Sequence, residues 1–315
     1  MVLFRKKGIK LLVTISTFVL VGTFVYSHVK AQAPPEAGLS ISPVVFELNA
    51  DPGDTITNQV KIYNPTEFSQ SVKMLVEDFA PVGEEGQVVL DEPDENSTYS
   101  LAKWTSVSPT NFDLGSRDQQ IVTFSVVVPP DGEPGGHYGS IVAFISGGGD
   151  ETKGTAVGSK RGALILMRVS GRIEESLSIN TFGTKSFQEY GPVEFDLKFE
   201  NIGNVHVRPA GFITITDTWG KQVAQLDIPQ YNVIPDSIRQ AGPVWEEIDL
   251  MGRYTATVVA NYGSGSKETV TAVTTFTVFP WKKGLIIGGV VILGLFLMIK
   301  GRGRIKRAFK VLFGK

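Results

Sequence analysis

Between residues 38 and 280 the chain alternates apolar and polar positions with a period of two, and helical spacing is scarce. In VEFDLKFE, Val193, Phe195, Leu197 and Phe199 fall on one face and Glu194, Asp196, Lys198 and Glu200 on the other. Successive side chains of a strand point to opposite faces, so this spacing predicts a strand with one buried side. YTATVVANY groups Tyr254, Ala256, Val258, Ala260 and Tyr262, and VTAVTTFTVF groups Val270, Ala272, Thr274, Phe276 and Val278. Earlier runs predict burial of Val60 and Ile62, of Val72, Met74 and Val76, and of Val122, Phe124, Val126 and Val128. Many short strands between Gly, Pro and Asn turns predict an all-β chain of two antiparallel β-sandwiches, over about 39–170 and 171–280. ALILMRVSG passes almost directly into RIEESLSI, so no long linker separates them. Ser146–Gly162 reads as a long mobile loop inside the first sandwich.

Two segments break the alternation. Arg5, Lys6, Lys7 and Lys10 precede the apolar run Leu11–Tyr26, and AQA (Ala31–Ala33) follows. That order predicts a signal peptide over residues 1–33, cleaved after Ala33, with an uncleaved anchor as the alternative. Near the other end, Gly284–Ile299 carries no charge. Sixteen helical residues span about 24 Å at 1.5 Å per residue, somewhat less than the roughly 30 Å of a hydrocarbon core. Lys282, Lys283 and Lys300 can snorkel and Trp281 can sit at the interface, so residues 284–300 are expected to cross a membrane. The tail 301–315 is basic and without acid, which predicts a cytoplasmic end and an extracellular middle. Its lysines and arginines could lie on the inner leaflet. Gly284 and Gly288 stand at G-x-x-x-G spacing, which is either a helix-pairing motif or chance in a glycine-rich span.

The net charge of −2 conceals an asymmetry. All 32 acidic residues lie between Pro34 and Pro280, with only 16 Lys and Arg among them. An acidic middle argues against nucleic acid as a partner. The chain has no cysteine, which excludes disulfides, thiolate metal sites and a cysteine nucleophile.

PPDGEPGGHYGSIVAFIS (Pro129–Ser146) has the look of a ligand loop with a histidine beside it. A phosphate cradle needs a helix after its glycines, however, and here a β-rich run follows. Pro129 and Pro130 end the preceding strand, and Gly132, Gly135 and Gly136 permit positive φ in the turn. The stretch therefore reads as a sandwich corner, with His137 and Tyr138 entering the returning strand on opposite faces and at most one of them presented to solvent.

Catalytic signals are sparse. Outside the leader only His137 and His206 remain, there is no G-x-S-x-G, and His206 in NVHVRP reads as a surface or half-buried strand histidine. Neither catalytic nor metal nor cofactor residues are assigned. The acidic run Asp91–Ser97 lacks the spacing of a calcium loop and reads as solvated. Asn96–Thr98 fits a glycosylation sequon. Trp104, Trp219 and Trp245 are aromatic candidates for ligand contact, each equally readable as a core or corner residue.

The order ISPVVFELNADPGDTITNQVKIYNP, SVKMLVEDF, then LAKWTSVSPTNFDLGS through VPPDGEPGGHYGSI resembles the peptidoglycan-binding domain of the WxL-interacting protein family. That resemblance implies a bacterial surface protein with a signal peptide, two immunoglobulin-like domains, a C-terminal transmembrane helix and a basic tail. FENIGNVHVRPAGFITITDTWGKQV, VIPDSIRQ and GRYTATVVANYGS resemble the family's membrane-proximal second domain, which implies contacts with host or companion surface proteins. The expectation is a non-enzymatic, membrane-anchored protein that binds cell-wall peptidoglycan or other surface proteins. Trp104, His137 and Tyr138 are its candidate ligand contacts. A structural spacer and a wall-active hydrolase using acidic residues are the alternatives.

Overall fold

The computed structural model describes residues 38–91, 97–145, 159–265 and 268–312, with side chains described through residue 302. The expected signal peptide, residues 92–96 of the acidic run with Asn96 of the sequon, and residues 146–158 of the expected loop lie outside the described residues.

The first sandwich contains β1 (Ser40–Ser42), β2 (Val45–Ala50), β3 (Thr55–Tyr63), β4 (Gln70–Val82), β5 (Gln87–Asp91), β6 (Thr105–Ser108), β7 (Asn111–Leu114), β8 (Gln119–Val127), β9 (Gly135–Ile145) and β10 (Ser159–Val169). One sheet has the order β1-β3-β8-β6; the other has β2-β10-β9-β4-β5, with β7 also on β4. The core between them holds Val60, Ile62, Val72, Met74, Val122, Phe124 and Val126, the side that the alternation predicted. Burying a side chain of this kind contributes about 1.5–3 kcal/mol. The β9–β10 ladder continues to Ile145 opposite Ser159, so Ser159–Gly162 belong to a strand and not to the loop expected there.

The second sandwich contains β11 (Leu177–Gly183), β12 (Phe187–Gln188), β13 (Val193–Glu194), β14 (Asp196–Asn201), β15 (Ala210–Asp217), β16 (Gln222–Asp227), β17 (Ile238–Gln240), β18 (Val244–Trp245), β19 (Gly252–Tyr262) and β20 (Glu268–Val278). Its sheets run β11-β14-β17 and β12-β20-β19-β15-β16, and β13 pairs with β18. Val193, Phe195, Leu197 and Phe199 all enter the core, yet the strand breaks at Phe195 and its halves pair with different partners. Both chain segments are immunoglobulin-like β-sandwiches, as expected, but neither is wholly antiparallel. β2 runs parallel to β10, and β12 parallel to β20. Each sandwich opens with a strand that changes sheet: β1 pairs antiparallel with β3 before β2 crosses to β10, and β11 pairs with β14 before β12 crosses to β20.

A buried asparagine closes the equivalent strand in each sandwich. Asn64 Nδ2 donates to the carbonyls of Phe68, Leu114 and Gly115 at 2.7, 3.1 and 2.9 Å, and its Oδ1 accepts from the Thr66 N–H at 3.0 Å. Asn201 Nδ2 donates to the carbonyls of Val205 and Val233 at 2.8 and 2.7 Å, and its Oδ1 accepts from the Gly203 N–H at 2.9 Å. Each side chain ties the backbone groups of its turn together, and the Gly115 and Val233 carbonyls also accept the N–H groups of Asp118 and Val207.

The helix α1 (Trp281–Leu312) follows directly. Its stretch Trp281–Arg302, 22 residues, is long and apolar enough to cross a membrane and is not buried against the protein. Twenty-two residues reach about 33 Å at 1.5 Å each. The charge-free part remains Gly284–Ile299, and the helix extends past it on both sides, starting at Trp281 directly after Pro280. The helix also runs on into the basic tail, since nothing after Ile299 is a proline.

Candidate functional site

Trp104 is set by a carboxylate in the neighbouring sheet. Asp78 Oδ1 accepts the N–H groups of Leu101 and Ala102 at 3.0 and 2.8 Å. These contacts hold the short 3₁₀ turn Ala102–Trp104, and the Trp104 N–H closes it on the Leu101 carbonyl at 3.0 Å. The Thr105 hydroxyl donates to the same carbonyl at 2.8 Å. The half-buried Trp104 ring is thereby laid against the His137 imidazole, with ring centroids 4.2 Å apart and planes tilted by 43°.

The corner Pro129–Gly136 forms the other wall. Of its three central glycines only Gly135 takes positive φ, at 130°. The positive φ expected at Gly132 and Gly136 is absent. A Cβ at Gly136 would instead fall 2.0 Å from the Tyr138 hydroxyl, so crowding accounts for glycine there. His137 Nε2 donates to the Glu133 carbonyl at 2.8 Å, which ties the imidazole to the corner and places its proton on Nε2. Burial pushes the His137 pKa below the usual 6.5, and Lys103 adds to this; the carbonyls of Glu133 and Ser100 act the other way without reversing it. Together Ser97, Thr98, Lys103, Trp104, Asp131, Glu133 and His137 line an open cleft of about 300 Å³. An aromatic platform with hydroxyls, carboxylates and an ammonium around it can bind a sugar or a peptide.

Of the three predicted contacts, the structure brings two together and separates the third. His137 and Tyr138 face opposite sides of β9, as expected, yet each is only 2% exposed, so neither is presented to solvent along a sheet face. His137 reaches the cleft from its rim. Tyr138 turns toward the second sandwich, where its hydroxyl lies 3.4 Å from Nδ1 of His206. His206 keeps the predicted alternation with the buried Val205 and Val207, but it lies in a loop and not on a strand; only Val207 makes a bridge, to Val233. Of the other tryptophans, Trp245 is in the second core and Trp219 stands 92% exposed at the β15–β16 turn.

The seam around Tyr138 joins the two sandwiches. Phe79, Tyr138 and Leu166 form a small apolar cluster against which Ile234 packs. Tyr99 donates to Asp236 Oδ2 at 3.3 Å, Asn232 Nδ2 to Glu47 Oε1 at 2.8 Å, and Lys198 Nζ lies 2.6 Å from Glu84 Oε2. Arg208 pairs with the same Glu47 carboxylate. A second pocket of about 230 Å³ opens on this seam, between Phe79, Val88, Leu164 and Leu166 on one side and Tyr231, Ile234 and Arg239 on the other. The Arg239 guanidinium sits 4.5 Å over the Tyr231 ring. Sequence reasoning did not find this pocket, because its lining comes from distant runs with no common motif. Among the described residues no group of three or more His, Asp or Glu is placed to hold a metal ion.

No protein-family model and no curated protein matches the sequence. Solved structures do. The class 5 fimbriae chaperone CfaA is 14% identical, with 76% of this chain and 99% of that one covered, at a TM-score of 0.40. The CsuC–CsuE chaperone–tip adhesion subunit pre-assembly complex of Acinetobacter baumannii gives 11% identity, coverage of 65% and 89%, and a TM-score of 0.35. The E. coli chaperone DraB gives 12%, 76% and 95%, and 0.33. Likeness at these scores says nothing about ligand or activity, and the two-sandwich architecture rests on the strand topology of the chain itself.

Proposed function

We propose that the protein is a non-enzymatic, membrane-anchored surface protein whose first sandwich binds cell-wall peptidoglycan at the Trp104–His137 cleft. The observation that carries this reading is the Trp104 ring, held against His137 on the edge of an open polar cleft. Sugar rings present apolar C–H faces to such a platform and hydroxyls to the groups around it. The apolar helix that follows the second sandwich supports anchorage, and the basic residues after it support a cytoplasmic tail. A surface-protein partner is the second reading, favoured by the apolar seam pocket with its guanidinium. A hydrolase is the third, because Asp131 and Glu133 line the same cleft. A structural spacer would use neither pocket.

Detergent-solubilised full-length protein incubated with isolated cell walls separates these readings. Retention on the walls without release of soluble fragments, lost on Trp104→Ala, is the expected result. Fragment release abolished by Asp131→Asn or Glu133→Gln would replace binding with hydrolysis. Absence of both retention and release would leave the spacer or a protein partner.

A further inference from the structure

The second sandwich has most of its exposed aromatic side chains at one end, the end from which α1 leaves. Strand direction fixes this. β20 runs toward that end and delivers Phe279 and Trp281, and β19 starts there, with Gly252 opposite Val278. β15 ends there, with Asp217 opposite Tyr254, so the turn carrying Trp219 projects from the same end. It lies two strands from β20, about 10 Å away. β12 runs parallel to β20 with Phe187 and Gln188 beside Thr277 and Val278, and the Gly191 N–H donates to the Ile248 carbonyl at 3.1 Å. Tyr190 and the 248–251 segment are thereby drawn to the same place. Eight aromatic side chains outside Gly284–Ile299 are exposed among the described residues, and five of them, Phe187, Tyr190, Trp219, Phe279 and Trp281, are here. Ile248 and Met251 add aliphatic surface, at 58% and 69% exposure.

The sandwich core has no use for these rings, and Trp and Tyr favour the membrane–water interface. The helix start is also fastened to the sandwich. Lys282 Nζ lies 2.7 Å from Glu189 Oε2, and the Phe279 N–H donates to the Gln188 carbonyl at 3.0 Å. A bilayer entered by this helix must lie against this end. We propose that the end is a docking collar whose rings sit among the phospholipid headgroups of the leaflet that α1 enters, holding the second sandwich on the bilayer. This rests on the reading of α1 as a membrane span. The charges nearby are mixed, with Glu246, Glu247 and Asp249 against Lys221, Arg253 and Lys283, all exposed. Ring insertion therefore carries the contact, not attraction to anionic lipid, and salt affects it little.

The test uses the full chain reconstituted into phosphatidylcholine vesicles containing lipid brominated close to the headgroup. The Trp219 signal is the emission difference between W281F and the W219F/W281F double variant; the Trp281 signal comes from the W219F background in the same way. Trp219 is so exposed that its replacement leaves the fold intact. The expected result is quenching of Trp219 by brominated lipid, unchanged at high salt. Quenching of Trp281 alone, with Trp219 open to aqueous iodide, overturns the collar and leaves the span standing. Quenching of Trp219 that disappears at high salt overturns ring insertion. If neither is quenched and alkaline carbonate strips the chain from the vesicles, the span reading fails and the collar falls with it.

Discussion

The hydroxyl of Tyr138, in the first sandwich, lies 3.4 Å from Nδ1 of His206, in the second. Burial raises the Tyr138 pKa above its usual value, so the phenol stays protonated. Donation by the phenol to Nδ1 requires the neutral imidazole, whereas an Nδ1–H would donate to the phenol oxygen instead. Burial pushes the His206 pKa down to about 4, with Arg168 and Arg208 adding to the shift and Glu47 and Glu175 opposing it. An unfolded histidine takes up its proton near pH 6.5. Between pH 6.5 and about 4 the unfolded chain binds a proton here that the folded chain refuses, so stability falls as pH falls through that window. The loss for His206 is on the order of 3 kcal/mol, and the lowered pKa of His137 acts in the same direction. Urea unfolding of the wild type and of His206→Asn, near neutral pH and near the lower limit, should show a smaller acid loss in the variant. An equal loss in both would remove His206 as the cause.

Asp78 is expected to govern both stability and the cleft. Asp78→Ala strands the buried Ala102 N–H and leaves the buried Leu101 N–H only its long bond to the Tyr138 carbonyl, at 3.4 Å. An unpaired buried donor costs about 1–3 kcal/mol. The expected outcome is a loss of about 2 kcal/mol or more in denaturant unfolding, with a changed near-UV signal from Trp104. Asp78→Asn keeps an acceptor oxygen and should restore most of both. If the alanine variant lost stability but kept the Trp104 signal and wall retention, Asp78 would be structural only.

Much of the fold was legible because a half-buried strand writes its buried side at every second residue. Val122, Phe124, Val126 and the run Val193–Phe199 went where their spacing put them. The parallel pairs β2–β10 and β12–β20 were not legible, since a strand that changes sheet keeps its alternation while changing partners. The cleft was half legible. Trp104 stood out as an aromatic in a polar context, and His137 by its place in the glycine-rich corner. Their stacking depends on Asp78, which lies 26 residues before Trp104 in an apolar run and carries no local signal. Tyr138 lies apart from the other two because its neighbour is His206, a contact between residues 68 positions apart.

Asn201 offers a sharp test of the strand-closing asparagines. Asn201→Ala leaves the carbonyls of Val205 and Val233 and the N–H of Gly203 without their side-chain partner, in a fully buried position. The Val233 carbonyl keeps the Val207 N–H, while a buried group left without any partner costs about 1–3 kcal/mol. A loss of several kcal/mol is expected, enough to shift the unfolding midpoint by 10 °C or more at roughly 2–4 °C per kcal/mol for a chain of this size. A shift of only a degree or two in scanning calorimetry would mean that water replaces the amide.

Three tryptophans separate binding from packing. Trp245 is 8% exposed and sits edge-on to Tyr254 and Phe276, at centroid distances of 5.4 and 6.5 Å. Trp245→Ala opens the core and should cost about 3–5 kcal/mol. Trp219 is almost fully exposed and lies in the second sandwich, outside the cleft, so Trp219→Ala should leave both soluble stability and wall retention unchanged. Trp104 lies between these extremes: its ring packs on His137 and also lines the cleft. Under the proposed function, Trp104→Ala removes the platform for the sugar face and weakens wall retention tenfold or more, since a lost aromatic anchor costs roughly 1–2 kcal/mol or more in binding. Trp104→Phe should recover part of that loss. Equal retention for wild type, Trp104→Ala and Trp219→Ala, with folding intact, would move the wall-binding surface away from this cleft.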